Sequence, residues 1–157
     1  MVEIYLPGRD IARVLGSLIL DLNGTLTVDG CLIEGVNSRL QELKTVLQIY
    51  LVTSDTLGSG SSIADDLGIP IIKVGRAGGG ADKLDFLNKI GAEQTAVIGN
   101  GYNDRLILEN AGFAIAVAGP EGCCTQALIK ADLVVTNILD ALDLLLKPLR
   151  IIATLRD

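Results

Sequence analysis

Apolar residues gather in six short runs, at 14–20, 47–52 (LQIYLV), 70–74 (PIIKV), 95–99 (TAVIG), 113–117 (FAIAV) and 132–135 (DLVV). Polar residues hardly alternate with apolar ones inside these runs, the pattern of parallel strands covered on both faces. Between the runs the spacing changes to three and four. Val36, Leu40 and Leu43 share one helical face, and Ser61 to Leu67 reads as a short helix closed by Gly68. Asp82 can N-cap a helix carrying Leu84, Leu87 and Ile90, which Gly91 ends. Asn103 can cap another that stops near Gly112, a further helix follows Pro120, and the last covers about 137–146. Strand and helix therefore alternate from residue 14 to about 146. The pattern predicts an α/β fold: one doubly wound, three-layer, Rossmann-like domain with a mainly parallel sheet of about six strands. The tail KPLRIIATLRD (147–157) is too apolar to hang free and is expected to pack on the body or on another subunit.

Composition narrows the chemistry. The 157 residues suit one domain with a real core. Although 49% of residues are hydrophobic, no run reaches the ~18 apolar residues of a membrane span. The start, MVEIYLPGRD, lacks the basic and apolar regions of a signal peptide, so a soluble, cytoplasmic protein is expected. A net charge of −6 with no basic stripe disfavours a nucleic-acid partner. Cys31, Cys123 and Cys124 show no metal-type spacing and read as free thiols, small side chains buried or half-buried. The most restrictive fact is the absence of histidine. It excludes Ser-His-Asp and Cys-His catalysis and His-ligated zinc, and leaves hard oxygen ligands, which point to Mg²⁺.

Doubly wound sheets place ligands at the carboxyl ends of their strands, and there the polar residues stand. The first run ends in Asp21-Leu22-Asn23-Gly24-Thr25, the second in Thr53-Ser54-Asp55 and the fourth in GNGYND, with Asn100, Asn103 and Asp104. Lys83 sits at a helix start after the third. Each has a plainer reading: Asp21 and Thr53-Ser54-Asp55 as turn residues, Asp104 as a first-turn acid, Lys83 as a solvated helix residue. Together they supply the parts of a phosphoryl-transfer site. A strand-end carboxylate can attack phosphorus, with Mg²⁺ bridging it, a backbone carbonyl and another carboxylate. A hydroxyl and a lysine can hold the remaining phosphoryl oxygens. Asp21, the Asn23 carbonyl, Asp104, Thr53 and Lys83 fill those places. Other nucleotide motifs fail: GRAGGGADK lacks the P-loop spacing of glycine and lysine, GNGYND lacks the third glycine of a dinucleotide fingerprint, and DLNGTLTVDGCL lacks the glycine and final Glu of a calcium loop.

Four stretches in this order resemble the haloacid dehalogenase (HAD) superfamily, and within it the phosphorylation domain of P-type ATPases. Asp21 to Thr27, DLNGTLT, is similar to the signature DKTGTLT; LVTSDT followed by SIADDLGI is similar to TGDN…A…A..LGI; Lys83 in ADKLDFL matches the family lysine; and GNGYND resembles GDGxND. The resemblance spans roughly 15–140. It implies that Asp21 is the nucleophile, that Thr53, Ser54, Lys83, Gly24 and Thr25 surround the phosphate, and that Asp21, the Asn23 carbonyl, Asn100 and Asp104 serve Mg²⁺. Residues 24–33 would form the flap hairpin of the superfamily.

Two positions depart from the family pattern. HAD phosphatases carry Asp two residues after the nucleophile as general acid and base; here Asn23 can do neither, and such help is typically worth about 10²–10⁴-fold. Asn100 replaces the first Asp of the metal motif, which lowers the charge offered to the ion. Only 31 residues separate Asp21 from Thr53, and 29 separate Thr53 from Lys83, so no large cap or nucleotide domain fits. The resemblance implies a capless, oligomeric phosphohydrolase or phosphotransferase acting on a phosphorylated substrate; the alternative is a catalytically weak binding or regulatory module.

Overall fold

An antiparallel hairpin opens the chain in the computed structural model, which describes all 157 residues. Strand β1 (Val2–Leu6) pairs with β2 (Ile11–Leu15), and β3 (Ser17–Leu20) then enters a separate, larger sheet. The single run expected at 14–20 is thus two strands. Gly16 is the junction: its N–H donates to Gln94 O and its carbonyl accepts the Gln48 N–H, both at 2.9 Å, so pairing with the main sheet begins there. The remaining elements are β4 (Thr27–Val28), β5 (Cys31–Leu32), α1 (Val36–Leu43), β6 (Gln48–Thr53), α2 (Gly60–Leu67), β7 (Ile71–Lys73) and α3 (Gly79–Ile90). They continue with β8 (Thr95–Gly99), α4 (Arg105–Asn110), β9 (Phe113–Val117), α5 (Thr125–Leu128), β10 (Leu133–Val135), α6 (Ile138–Leu146) and α7 (Leu149–Leu155).

The main sheet has six strands, all parallel, in the order β10-β9-β8-β3-β6-β7. The chain winds outward from β3 through β6 to β7, then returns to the other side of β3 with β8. The strand order therefore reverses at β3, where such sheets open a crevice at the carboxyl edge. Alternate side chains of each strand face opposite layers. Leu18, Leu20, Ala96, Ile98, Phe113, Ile115 and Val117 pack into the larger core with residues of α1, α2, α6 and α7. Ile19, Val52, Val97 and Ala114 pack into a smaller one with Leu87 of α3, Ile107 and Leu108 of α4 and Ala127 of α5. Both faces are covered, which is why the strands read as continuous apolar runs. Burying each Leu or Ile contributes about 1.5–3 kcal/mol.

Helix ends explain where spacing misleads. Gly68 closes α2 in the left-handed conformation (φ 62°), as its position predicts. Asp82 does not cap α3: it lies inside the first turn, and its Oδ2 accepts the Gly75 N–H at 2.9 Å, tying down the preceding loop. Nor does Asn103 cap α4. It sits in a short 3₁₀ turn, Tyr102–Asp104, that precedes α4 and turns the Asp104 carboxylate inward. The helix after Pro120 shrinks to the four residues of α5. Asn137 does cap α6, its Oδ1 accepting the Leu139 N–H at 2.8 Å. In the tail, Ile151 of α7 is buried in the larger core and Arg9 Nη1 donates to Leu155 O. No helix is long and apolar enough to cross a membrane.

Candidate active site

The carboxyl ends of β3, β6 and β8 lie side by side, and β3 delivers Asp21 to the middle of them. The Asp21 N–H still pairs with Ile98 O at 3.0 Å, so the carboxylate leaves the last rung of the ladder with its backbone fixed. The chain then turns tightly on Leu22, whose carbonyl accepts the N–H groups of Thr25, Leu26 and Thr27 and the Thr27 hydroxyl. Gly24 permits that turn. Its φ is +76°, and a Cβ there would stand 2.4 Å from Asn100 Nδ2.

Helix α3 sends Lys83 inward across the strand ends. Its Nζ donates to Asp21 Oδ1 at 2.6 Å and to Asp104 Oδ1 at 2.7 Å, and the lysine and Asp104 are both 0% exposed. The other Asp104 oxygen accepts the N–H groups of Asn100 (3.1 Å) and Gly101 (2.8 Å). Gly99 makes room for it, since a Cβ at that position would approach Asp104 Cγ to 2.7 Å. Asp104 is thus committed on both oxygens; it anchors Lys83 and the loop rather than standing open.

Two carboxylates against one ammonium leave this buried cluster one negative charge in excess. Burial, and then the Asp104 carboxylate, push the Asp21 carboxyl up to about 6 against the pull of Lys83. For Lys83 burial opposes the charge, but Asp104 and Asp21 more than offset it and hold the ammonium above the ordinary lysine range.

Asn100 joins the cluster through neutral contacts. Its Oδ1 accepts the Thr25 hydroxyl at 3.1 Å and its Nδ2 donates to Gly122 O at 3.1 Å. Asn23 Oδ1 is buried without a hydrogen-bond partner. Such an oxygen costs about 1–3 kcal/mol unless a ligand or water satisfies it. Thr53 is buried at the end of β6, with its Oγ1 accepting the Asp55 N–H at 3.0 Å, which leaves the hydroxyl hydrogen free to donate. Ser54 pairs its hydroxyl with that of Thr56, and no hydrogen bond ties Thr53 or Ser54 to Asp21. The structure therefore gathers Asp21, Lys83, Asp104, Asn100 and Thr25 into one bonded cluster, with Gly24 packed against Asn100 and Thr53 on the adjacent strand end.

A hard divalent cation fits the donor chemistry. The cluster has an excess negative charge, and the Asp21 carboxylate, the Asn23 carbonyl and the Asn100 amide are oxygen donors. No three acidic, Cys or His side chains converge on one point, so neutral oxygens would carry much of the coordination.

Spacing alone does not reveal one residue. Glu121 reaches across from the loop after β9 and accepts the Asp29 N–H at 2.7 Å, touching the tip of the β4–β5 hairpin. Asp55 (φ 51°) shapes the turn after Thr53 by accepting the Gly60 N–H at 2.7 Å. That turn role is the plainer reading of Thr53-Ser54-Asp55; nothing in the sequence marks the reach of Glu121. Of the thiols, Cys123 and Cys124 are half-buried as expected, but Cys31 is exposed because it sits on the projecting hairpin.

No family model matches the chain. It is 44% identical over 79 residues to the uncharacterized protein MJ0073 of Methanocaldococcus jannaschii, a match covering 48% of this chain and 85% of that one. It is also 49% identical over 39 residues to MJ0072 of the same organism, covering 25% and 89%. Among solved structures, the cobalt-bound deoxy-D-mannose-octulosonate 8-phosphate phosphatase YrbI of Haemophilus influenzae aligns with a TM-score of 0.70 and 20% identity, over 85% of this chain and 88% of that one. The 3-deoxy-D-manno-octulosonate 8-phosphate phosphatase of Moraxella catarrhalis, solved with magnesium, phosphate and KDO, aligns at 0.68 with 22% identity, over 89% and 90%. An apo phosphoserine phosphatase aligns at 0.66 with 16% identity, over 82% and 98%. The fold is that of the HAD phosphatases.

Proposed function

Because the chain belongs to the same family as the M. jannaschii protein MJ0073 and has the HAD fold, we propose that it is a divalent-metal-dependent phosphohydrolase or phosphotransferase working through an aspartyl phosphate on Asp21. The observation that carries this reading is the buried Lys83 bridge between Asp21 and Asp104 at the carboxyl ends of adjacent strands. A fold has little structural reason to bury two acids against one lysine. The likeness of DLNGTLT to the phosphorylation signature of P-type ATPases supports the same acceptor.

In this reading an Asp21 oxygen attacks the phosphorus of a phosphomonoester, the bond to the leaving oxygen breaks, and the leaving alkoxide takes its proton from solvent. Water then attacks the phosphorus of the aspartyl phosphate, releasing phosphate and restoring the carboxylate. Thr53 and Lys83 hold non-bridging oxygens, with Gly24, Thr25 and Ser54 around them. Asp21, the Asn23 carbonyl and Asn100 would hold Mg²⁺, with Asp104 behind Lys83. When bound, the ion neutralises charge on the phosphoryl oxygens. The Asn23 amide neither gives nor takes a proton, so the site takes up phosphoryl more readily than it releases it. The short spans on either side of Thr53 leave the site open, which supports a second copy of the chain as its cover in a cytoplasmic oligomer.

A second reading, a binding or regulatory module, is favoured by Asn100, whose amide is already satisfied by Thr25 and Gly122. The two readings part on metal-dependent hydrolysis of p-nitrophenyl phosphate and acetyl phosphate. The enzyme reading expects turnover that EDTA abolishes and Mg²⁺ restores. Absence of both turnover and a phosphoenzyme leaves the module.

A further inference from the structure

We propose that Glu121 makes this site select phosphomonoesters whose leaving alcohol is neutral or cationic and reject those whose leaving group is an anion. The inference rests on the phosphatase reading above. Glu121 stands in the tight loop between β9 and α5, where the Gly122 N–H closes onto Gly119 O at 2.9 Å. One of its oxygens accepts the Asp29 N–H at the hairpin tip, where Asp29 and Gly30 both have positive φ (52° and 78°). The other lies 3.1 Å from the point a Cβ on Gly24 would occupy, directly over the turn that follows Asp21. The carboxylate therefore lies between the flap and the phosphate turn, hydrogen-bonded to the first and close beside the second.

Beside it a cavity of about 230 Å³ opens between Gly24 and Thr25, Val28 of the flap, Pro120, and the Thr136–Asn137 corner. Every residue lining the cavity is uncharged. The cations near the site are engaged elsewhere. Lys83 is held by its two acids, and Arg105 lies on the Tyr102 ring, 3.9 Å from its centre, with Nη1 donating to Tyr102 O. A leaving group entering this cavity meets hydroxyl, amide and aliphatic groups, with the Glu121 carboxylate next to Gly24 and Pro120 of its lining. A carboxylate or second phosphate there finds no basic partner and faces a like charge, whereas a polyol or an ammonium does not. The volume suits an alcohol of a few carbons. The octulosonate phosphates named for the structural neighbours have an acidic leaving group; this site is built against one.

Three phosphomonoesters of similar size test the idea: phosphoethanolamine, glycerol 1-phosphate and phosphoglycolate. For the wild-type protein, kcat/KM for the first two exceeds that for phosphoglycolate by about tenfold or more. Glu121→Gln keeps an acceptor for the Asp29 N–H while removing the charge, and it shrinks the ethanolamine-to-glycolate ratio by roughly fivefold; Glu121→Lys inverts the preference. An unchanged ratio in Glu121→Gln, or a wild-type preference for phosphoglycolate, overturns the proposal. Beryllofluoride trapping on wild-type Asp21 separates the two levels. With the adduct present and the ratio unmoved, only the role of Glu121 falls. With neither adduct nor turnover, the phosphatase reading falls and takes this inference with it.

Discussion

Two lysine–carboxylate clusters stand at neighbouring strand ends, and they are built on opposite terms. Lys73 at the end of β7 is 54% exposed and meets one acid, Asp55, at 2.9 Å. Charge balances there and solvent reaches the pair, so it is worth at most about 1 kcal/mol. Lys83 is wholly buried between two acids, and the cluster keeps one uncompensated negative charge. Apolar residues of the same volume would serve stability as well or better. An ion pair at a strand end therefore says little by itself; burial with an imbalance of charge is what marks a site for chemistry.

Lys83→Met breaks the comparison hardest. It leaves Asp21 and Asp104 facing each other without a cation, so phosphoenzyme formation falls by at least about 10²-fold. The free energy of unfolding drops by about 3 kcal/mol. Denaturant melts and adduct yield read both effects. A stability loss no larger than that of Lys73→Met would erase the distinction between the clusters.

Asn23→Asp sharpens the comparison on the active side. A carboxyl at this position restores the proton donor and acceptor, and steady-state phosphatase turnover rises roughly 10- to 100-fold. The accumulated phosphoenzyme declines in step. Turnover that does not change removes the acid–base account of Asn23.

The smallest effect belongs to the structural pair. The hydrogen bond from Lys73 holds the Asp55 carboxyl below its usual range, against the opposing effect of burial. A depressed folded pKa means stability that is present above the ordinary carboxylate value and is lost as pH falls through the folded one. Wild type should exceed Lys73→Met by up to about 1 kcal/mol at neutral pH, with the gap closing on acidification below that range. Trapping on Asp21 stays as in wild type. A gap that widens in acid reverses the assignment.

The same contrast explains what the sequence made legible. Strands β6, β8 and β9 are covered on both faces, and their uninterrupted aliphatic runs announce them. Asp21 and Thr53 were visible as polar residues where such runs stop. The β1–β2 hairpin was not, because β1 alternates only over Val2, Ile4 and Leu6 with Glu3 and Tyr5 between, and β2 runs into β3 across a single glycine. Asp82 and Asn103 have the right side chains for caps, but Asp82 ties down a loop and Asn103 falls within a 3₁₀ turn, and local spacing contains neither path. Glu121 lies 92 residues from the Asp29 N–H it meets, a distance in sequence that only the completed sheet closes.

The most direct measurement is the mass of the protein, with peptide mapping, after exposure to acetyl phosphate or beryllofluoride with Mg²⁺. The expected result is an adduct on Asp21 that EDTA prevents and that Asp21→Asn abolishes while the protein remains folded. No adduct at millimolar Mg²⁺, or one that persists in Asp21→Asn, would contradict it.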